Sequence, residues 1–413
     1  MKIGIEEQNR ILHHSIDQGV KLWELLEDRH YSYDDLLYTD GMRFEEQANL
    51  FPHIDSIDDV PVYNEGIPAV SFFSGAGGLD TGFRYAGFNN IIGIEHTELF
   101  CQTLRHNNPQ QFVIGPPLYE GDVSKREEVA AILRENGVSD HFNGVFHGGP
   151  PCQSFSIAAN QRFNKDGDKF KRTGFEDTEK GTLIFDYIWY IQQFRPLAFL
   201  IENVSGIIEC DATGRINDAL NELREIGYNI PAPCVVDATY YGVPQHRKRW
   251  IAMGTRGKRR IEMPAPQLNE TPCGSVFMRP IAGLPNHVTR KHNAESVLRY
   301  SQLKPGARDH QGRVDRLDPF KPSKTVIAGG LKGGGRSHLH PFSPRTISVR
   351  ECARLQTFPD SYEFSGTPAR QFTQVGNAVP PLLAYRFALA IKEAILPDFL
   401  DTRKIRGQFS DLF

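Results

Sequence analysis

Residues 69–80 read AVSFFSGAGGLD: a short apolar run, a glycine-rich turn and the start of a helical pattern. The apolar run suits a buried strand, and the glycines let the chain turn tightly and let a ligand approach the backbone at the helix N-terminus. The turn lacks both the third glycine of the dinucleotide fingerprint and the Lys-Ser/Thr pair of a P-loop. It therefore predicts a strand–turn–helix unit that binds a nucleoside without a polyphosphate.

The same alternation continues along the chain. We predict further strands at 91–95, 143–146 and 196–201, and a third element of the sheet at 120–123. Acidic residues end three of these elements: Glu95, Asp122 and Glu202. Strands that alternate with helices indicate an α/β fold with a doubly wound, mainly parallel sheet. Glu95, about 20 residues after the glycine turn, is placed to bind ribose hydroxyls.

The composition excludes several classes of protein. The chain has 413 residues, of which 39% are hydrophobic and 23% charged, as in a soluble globular protein with one large and one smaller domain, or with two to three modest domains. It has neither an apolar run of membrane-spanning length nor a signal peptide pattern. Its six cysteines include no Cys-x-x-Cys pair, which argues against zinc and disulfides and predicts a reducing cytoplasm.

The net charge of −3 conceals a strong asymmetry. Residues 245–350 contain 21 Lys and Arg but 6 Asp and Glu, whereas residues 1–70 contain 5 and 15. The basic segment predicts a phosphate-binding surface, and the alternative is a solvated charged face. We predict four regions: an acidic, mostly helical N-terminal extension (1–66), a catalytic and cofactor-binding domain (67–255), a small loop-rich target-recognition domain (256–345), and a return to the catalytic domain with a C-terminal helix (346–413).

Cys152 lies in the sequence GGPPCQSFS, directly after the predicted strand at 143–146. A free cysteine is most often a buried, inert thiol, and reactivity needs a special environment. Glu202, after a neighbouring strand, is either an acid facing the same substrate or a helix cap or surface ion pair. On a strand, Gln245, Arg247 and Arg249 would share one face, where arginines suit phosphate or carbonyl oxygens.

Six motifs, taken in order over residues 69–395, closely resemble those of the cytosine-5 DNA methyltransferases of bacterial restriction-modification systems. They are FFSGAGGLDTGF (72–83), PPCQ (150–153), ENV (202–204), QHRKR (245–249), RECARLQTFPD (350–360) and GNAVP (376–380). The resemblance implies a Rossmann-like fold and S-adenosylmethionine as cofactor, with no metal. The implied cofactor pocket consists of Phe73, Gly75, Gly77, Gly78, Glu95, Asp122, Pro151, Leu183 and Asn377.

The resemblance also implies the chemistry. The Cys152 thiolate would add to C6 of cytosine, so that C5 can attack the sulfonium methyl group. Glu202 would protonate or hydrogen-bond N3, Arg249 would contact O2, and Arg247 the neighbouring backbone. Because C5 lies inside the duplex stack, the cytosine must flip out. Residues 154–175 would form the loop that closes over it, and this loop is longer than in compact members of the family.

The expected partner is double-stranded DNA, bound by a monomer at one recognition sequence, with a cognate restriction endonuclease as a functional partner. Candidate DNA contacts are Gln153, Ser156, Arg162, Lys171, Arg172, Gln245, Arg308, Arg313, Arg316, Lys332 and Arg336. One alternative is a methyltransferase of the same fold that acts on transfer RNA, although its Cys-Phe-Thr signature is absent from the sequence. Another is a catalytically idle DNA-binding protein, which the intact Cys152, Glu202 and Arg249 disfavour.

Overall fold

The structure is a computed structural model that describes residues 3–43, 50–51, 56–151, 182–211, 213–328 and 338–410. The chain forms two compact units. The first unit consists of Met1–Asp59, Gly242–His246 and Leu268–Asn377. The second consists of Val60–Tyr241, Arg247–Gln267 and Ala378–Phe413. These boundaries differ from those of the four predicted regions. The roles assigned to those regions remain predictions.

The second unit is built on a seven-stranded sheet. Its strands are β1 (Tyr63–Phe72), β2 (Ala86–Ile94), β3 (Phe112–Ile114), β4 (Val145–Gly148), β5 (Ala198–Val204), β6 (Cys234–Asp237) and β7 (Lys248–Thr255). The strand order is β3-β2-β1-β4-β5-β7-β6. The first five strands run parallel, whereas β7 is antiparallel to both of its neighbours. The predicted doubly wound, mainly parallel sheet is confirmed.

The second unit also contains helices, most of which connect these strands. They are α3 (Gly78–Tyr85), α4 (Glu98–Asn107), α5 (Arg126–Glu135), α6 (Leu183–Phe194), α7 (Gly206–Cys210), α8 (Arg215–Glu225) and α12 (Pro381–Ser410). The core contains an aromatic group in which the Phe72 ring centroid lies 5.1 Å from that of Phe146 and 4.9 Å from that of Tyr187. Burial of such rings holds β1, β4 and α6 together, which fixes the strand ends that carry the site.

The third predicted strand was placed wrongly. It is formed by Phe112–Ile114, and residues 120–123 form no strand. The run Phe-Val-Ile has the high strand propensity that the later residues lack. Pro116 and Pro117 end it, and Gly121 then takes a φ of 69°, which is incompatible with an extended strand. Asp122 therefore lies in a loop beyond the strand.

The first unit is mainly helical. Its helices are α1 (Ile5–Gln18), α2 (Leu22–Glu27), α9 (Ala294–Ser301), α10 (Val349–Leu355) and α11 (Pro368–Asn377). A small sheet with the order β10-β9-β8 contains β8 (Arg308–Asp309), β9 (Val314–Arg316) and β10 (His338–Leu339). The segment 256–345 was expected to be loop-rich, and its described residues hold α9, these short strands and a 3-10 helix at Gly274–Phe277. The N-terminal helices share this unit with residues 268–345 of that segment.

Candidate active site

The turn between β1 and α3 is held in an unfavourable backbone conformation. Phe73, Gly75 and Gly77 have φ values of 53°, 56° and 78°, all in the left-handed region. Such a conformation in Phe73 persists only where the surroundings fix it. The N–H of Ser74 donates to the carbonyl of Ile94 at 3.0 Å, and that of Gly77 donates to the Ser74 carbonyl at 2.9 Å. The turn is therefore tied to the end of β2.

Glu95 follows β2 and lies against this turn. Its Oε2 accepts from the Gly75 N–H at 2.9 Å, and its Oε1 accepts from the Thr97 N–H at 2.7 Å. The residue is 6% exposed. Each carboxylate oxygen can accept more than one hydrogen bond, so the group keeps acceptor capacity for hydroxyls of a ligand. The structure thus brings Glu95 together with the glycine turn, as the sequence predicted.

Asp122 is half-buried in the loop beyond β3. Its Oδ1 accepts from the Ser124 N–H at 2.9 Å and from the Ser124 hydroxyl at 2.7 Å. This local turn fixes the orientation of the carboxylate, as aspartates commonly do at loop starts. Leu183 is half-buried at the first residue of α6, and Asn377 is exposed at the last residue of α11, in the first unit.

The chain leading to Cys152 lies beside the end of β5. A Cβ added at Gly149 would stand 2.9 Å from Oε2 of Glu202, so the carboxylate lies close against the backbone at this glycine. Asn203 Nδ2 donates to the Pro150 carbonyl at 3.3 Å, and its Oδ1 accepts from the Val204 N–H at 2.9 Å. These contacts fix the backbone up to Pro151. Cys152 is the next residue and lies outside the described residues.

Glu202 and Arg249 form an ion pair across β5 and β7. The Nε of Arg249 lies 2.6 Å from Oε1 of Glu202, and the side chains are 12% and 9% exposed, respectively. In the antiparallel register, Val204 is opposite Arg249 and Glu202 is opposite Ile251, which puts both charged side chains on one face. A carboxylate and a guanidinium so placed can bind an acceptor and a donor of one planar ligand.

Gln245 and Arg247 do not share a strand face with Arg249, so this prediction was wrong. The strand begins only at Lys248. Arg247 is 2% exposed, and its guanidinium donates to the Ala378 carbonyl at 2.8 Å. Gln245 is fully buried in the first unit, where its Nε2 donates to Gln356 Oε1 at 2.7 Å. Both side chains therefore have structural contacts in the interior.

The candidate DNA contacts fall into three groups. Arg308 is 42% exposed and pairs with Asp315 at 2.9 Å, and Arg313 is exposed in the turn between β8 and β9. Arg316 is fully buried, with donors bound to carbonyls of its own unit. A charge count cannot detect this burial. The others lie outside the described residues: Gln153, Ser156, Arg162, Lys171, Arg172, Lys332 and Arg336.

A buried polar network beneath the glycine turn was missed at the sequence level. Asp80 is 1% exposed and accepts from the Ser71 hydroxyl at 2.9 Å and from Gln111 Nε2 at 2.7 Å. The Ser74 hydroxyl donates to Ser71 Oγ at 2.9 Å, which joins the turn to this network. Burial raises the pKa of Asp80 to about 6, against the lowering effect of both hydrogen bonds. The spacing of Ser71 and Asp80 gave no signal for this contact.

A family model for C-5 cytosine-specific DNA methylases matches residues 67–393 of the chain. The chain belongs to this family. The match starts within β1, at residue 67, and includes the glycine turn, Cys152, Glu202 and Arg249.

Curated relatives of this DNA methylase are Type II methyltransferases. M.PspPI of Psychrobacter sp. is 32% identical over 359 residues, which cover 79% of this chain and 78% of that protein. M1.HphI of Haemophilus parahaemolyticus is 30% identical over 356 residues, covering 81% and 88%. The chain is therefore a DNA (cytosine-5) methyltransferase of the restriction-modification type.

Solved structures share the fold of this DNA methylase. A prophage-encoded E. coli protein assigned as a DNA modification methyltransferase aligns with a TM-score of 0.64 at 24% identity, over 80% of this chain and 99% of that chain. The Dnmt2 methyltransferase of S. pombe aligns with a TM-score of 0.52 at 16% identity, over 79% and 98%. At these identities the likeness concerns the fold.

Two further findings concern the described residues of this DNA methylase. They hold no group of three His, Cys, Asp or Glu side chains that could bind a metal ion. Within the same part of the chain, no helix is long and apolar enough to cross a bilayer.

Proposed function

We propose that this enzyme transfers a methyl group from S-adenosylmethionine to C5 of a flipped-out cytosine within one specific sequence of duplex DNA. The observation that carries the proposal is the pairing of Glu202 with Arg249 at 2.6 Å beside Gly149, three residues before Cys152. An acid and a cation at neighbouring strand ends, with a cysteine close by in sequence, suit a planar base with several polar atoms.

The residues at the glycine turn fit S-adenosylmethionine. When bound, this cofactor supplies an electrophilic methyl group on a sulfonium sulfur. The buried Glu95 carboxylate, already oriented by Gly75, would accept from the ribose hydroxyls, and Asp122 would take the adenine. Acidic groups also tolerate a sulfonium cation better than they tolerate phosphates. The rest of the proposed pocket comprises Phe73, Gly77, Gly78, Pro151, Leu183 and Asn377.

Cys152 is the proposed nucleophile, since cytosine C5 is itself a poor one. Its thiolate would add to C6, and the electron pair would move to C5. C5 would then take the methyl group as the sulfur–methyl bond breaks and leaves a neutral thioether. Glu202 protonates or hydrogen-bonds N3 and Arg249 contacts O2, so both stabilise charge that develops on the ring. The C5 proton then leaves to water, the C6–S bond breaks, and the thiolate returns. No methyl group rests on Cys152.

DNA would be held by basic and polar side chains of the loop after Cys152 and of the recognition segment. The proposed set is Gln153, Ser156, Arg162, Lys171, Arg172, Arg308, Arg313, Lys332 and Arg336. Gln245, Arg247 and Arg316 are left out of this set because their side chains are buried in structural contacts. We infer that these three side chains position the surrounding backbone.

We also propose that the enzyme acts as a monomer in the cytoplasm and protects DNA from a cognate restriction endonuclease. Bisulfite sequencing of DNA from a host that expresses the chain tests the function, because it reports the methylated base and its sequence context together. We expect methylated cytosines in a single recurring sequence. Purified enzyme that labels transfer RNA but not duplex DNA would overturn the proposal.

A further inference from the structure

The N-terminal segment 3–43 lies outside the part of the chain that the family model matches, and it packs inside the first unit. Its helices α1 and α2 share an apolar cluster with α9. The cluster contains Ile3, Ile11, Leu12, Leu22, Leu25, Leu26, Tyr33, Leu36, Ala294 and Val297. This burial is what joins an acidic segment to the otherwise basic recognition segment.

Beyond the helices, Tyr38 and Asp40 hold Arg316 of β9. The Arg316 guanidinium carbon lies 3.5 Å from the ring centroid of Tyr38, and its Nη1 pairs with the Asp40 carboxylate. The same guanidinium donates to the carbonyls of Leu303 and Pro341 at 2.6 and 2.9 Å. A fully buried guanidinium needs such a partner, because an unpaired buried charge is strongly unfavourable.

A second set of contacts anchors the same segment. Asp34 Oδ1 lies 2.5 Å from Nε of Arg345. The Tyr38 hydroxyl donates to the His340 carbonyl at 2.7 Å, and the Thr39 N–H donates to the Ser301 carbonyl at 2.9 Å. These bonds reach the end of α9 and the chain that follows β10. The N-terminal segment therefore contacts the chain that precedes the small sheet and the chain that follows it.

This sheet presents the described candidate DNA contacts. Arg308 begins β8, and Arg313 lies in the turn that leads into β9, which ends at Arg316. The two strands pair through Arg308 with Asp315 and through Asp309 with Val314. A shift of Arg316 would move this hairpin, and base recognition depends on side chains held to within about 0.5 Å.

We propose that residues 3–43 are the positioning element of the recognition sheet, so that Asp40, acting through Arg316, contributes to discrimination between DNA sequences. This inference rests on the proposed function. Arg316 reads no base in this account. Its role is to link the N-terminal segment to β9, so that the segment determines where β9 lies.

The test compares Asp40→Leu, Arg316→Met and the double variant Asp40→Leu/Arg316→Met, with Asp17→Asn on the exposed face of α1 as the control. Specificity is the ratio of kcat/KM for duplex DNA with the recognised sequence to that for DNA with one base pair changed. We expect each single variant to lower this ratio at least about 10-fold, mainly through KM for cognate DNA. The Kd of S-adenosylmethionine should stay within about twofold, and the control should match the parent.

The double variant decides between positioning and base reading, because a methionine at 316 buries no charge that the partly exposed Asp40 would have to compensate. We expect it to regain most of the parent's specificity. A double variant as unspecific as Arg316→Met would overturn the proposal, as would single variants with unchanged specificity. If the single variants do not fold, Tyr38→Phe serves instead, since it removes only the bond to the His340 carbonyl. This variant should lower specificity about two- to fivefold. Unchanged specificity in Tyr38→Phe would contradict the proposal.

Failure of the proposed function would be seen separately. In that case neither the parent enzyme nor any of the variants would methylate cytosine in duplex DNA. A parent that methylates one sequence, together with variants that keep its specificity, refutes only the positioning role.

Discussion

The Nε of Arg249 lies 2.6 Å from Oε1 of Glu202, and the pair is almost enclosed at the ends of β7 and β5. Each charge compensates the burial of the other. In the proposed mechanism a bound base would contact both groups, so the pair would contribute to substrate binding and to stabilisation of the transition state.

Glu202→Gln keeps the size of the side chain but removes its charge and its ability to donate a proton. We expect kcat for DNA methylation to fall about 100- to 1,000-fold, as for loss of one preorganised electrostatic contact. The Kd of S-adenosylmethionine should stay unchanged in equilibrium titration. Glu209→Gln, at an exposed position on α7, is the matched control. Equal loss of activity in both variants would show that Glu202 has no special role.

Glu95→Gln tests the cofactor pocket. The carboxylate accepts from two backbone N–H groups, and an amide nitrogen cannot accept from either. Loss of one charge-assisted hydrogen bond, about 1.5–3 kcal/mol, predicts a 10- to 150-fold weaker Kd for S-adenosylmethionine by calorimetry. At saturating cofactor, kcat should fall far less. Glu98→Gln, exposed in the first turn of α4, should bind as the parent does. Unchanged affinity in Glu95→Gln would contradict the assignment.

Asp80 predicts a pH dependence of stability. Burial raises its pKa from 3.8 to about 6, so the folded state favours the protonated carboxyl. The stability from this group is complete below pH 4 and is lost as the pH rises through about 6, by up to about 3 kcal/mol. Asp80→Asn should remove this loss. Between pH 4 and pH 7 the free energy of unfolding of the variant, measured with denaturant, should therefore rise relative to that of the parent. Asp140→Asn, with a side chain 65% exposed, should follow the parent. Parallel curves for Asp80→Asn and the parent would refute the prediction.

The parts of the fold that depend on local patterns could be predicted from the sequence. The strand, glycine turn and helix at β1 and α3 follow from apolar runs and turn residues, and Glu95 is placed by the end of β2. The pattern of acidic residues after strands predicts a third strand at 120–123, but the strand lies at Phe112–Ile114. The loop position of Asp122 depends on Pro116, Pro117 and Gly121.

Contacts between distant parts of the chain could not be predicted in this way. Asp40 and Arg316 are 276 residues apart in sequence, and nothing in either neighbourhood indicates the other. A count of positive charges treats Arg316 like Arg313. The two residues differ in burial, since Arg316 is buried and Arg313 is exposed, and the count does not register this difference. The same limit applies to Asn203, whose bond to the Pro150 carbonyl joins two strand ends.

The central claim is that Cys152 forms a transient bond to C6 of a cytosine in duplex DNA. The most direct measurement incubates the enzyme and S-adenosylmethionine with a duplex that carries 5-fluorocytosine at the methylated position, because fluorine at C5 blocks the final elimination. Peptide mass spectrometry then locates the trapped DNA. We predict an adduct on Cys152 in the parent and none in Cys152→Ser, which should also be inactive. An adduct on another residue, or a Cys152→Ser enzyme that methylates as well as the parent, would contradict the account.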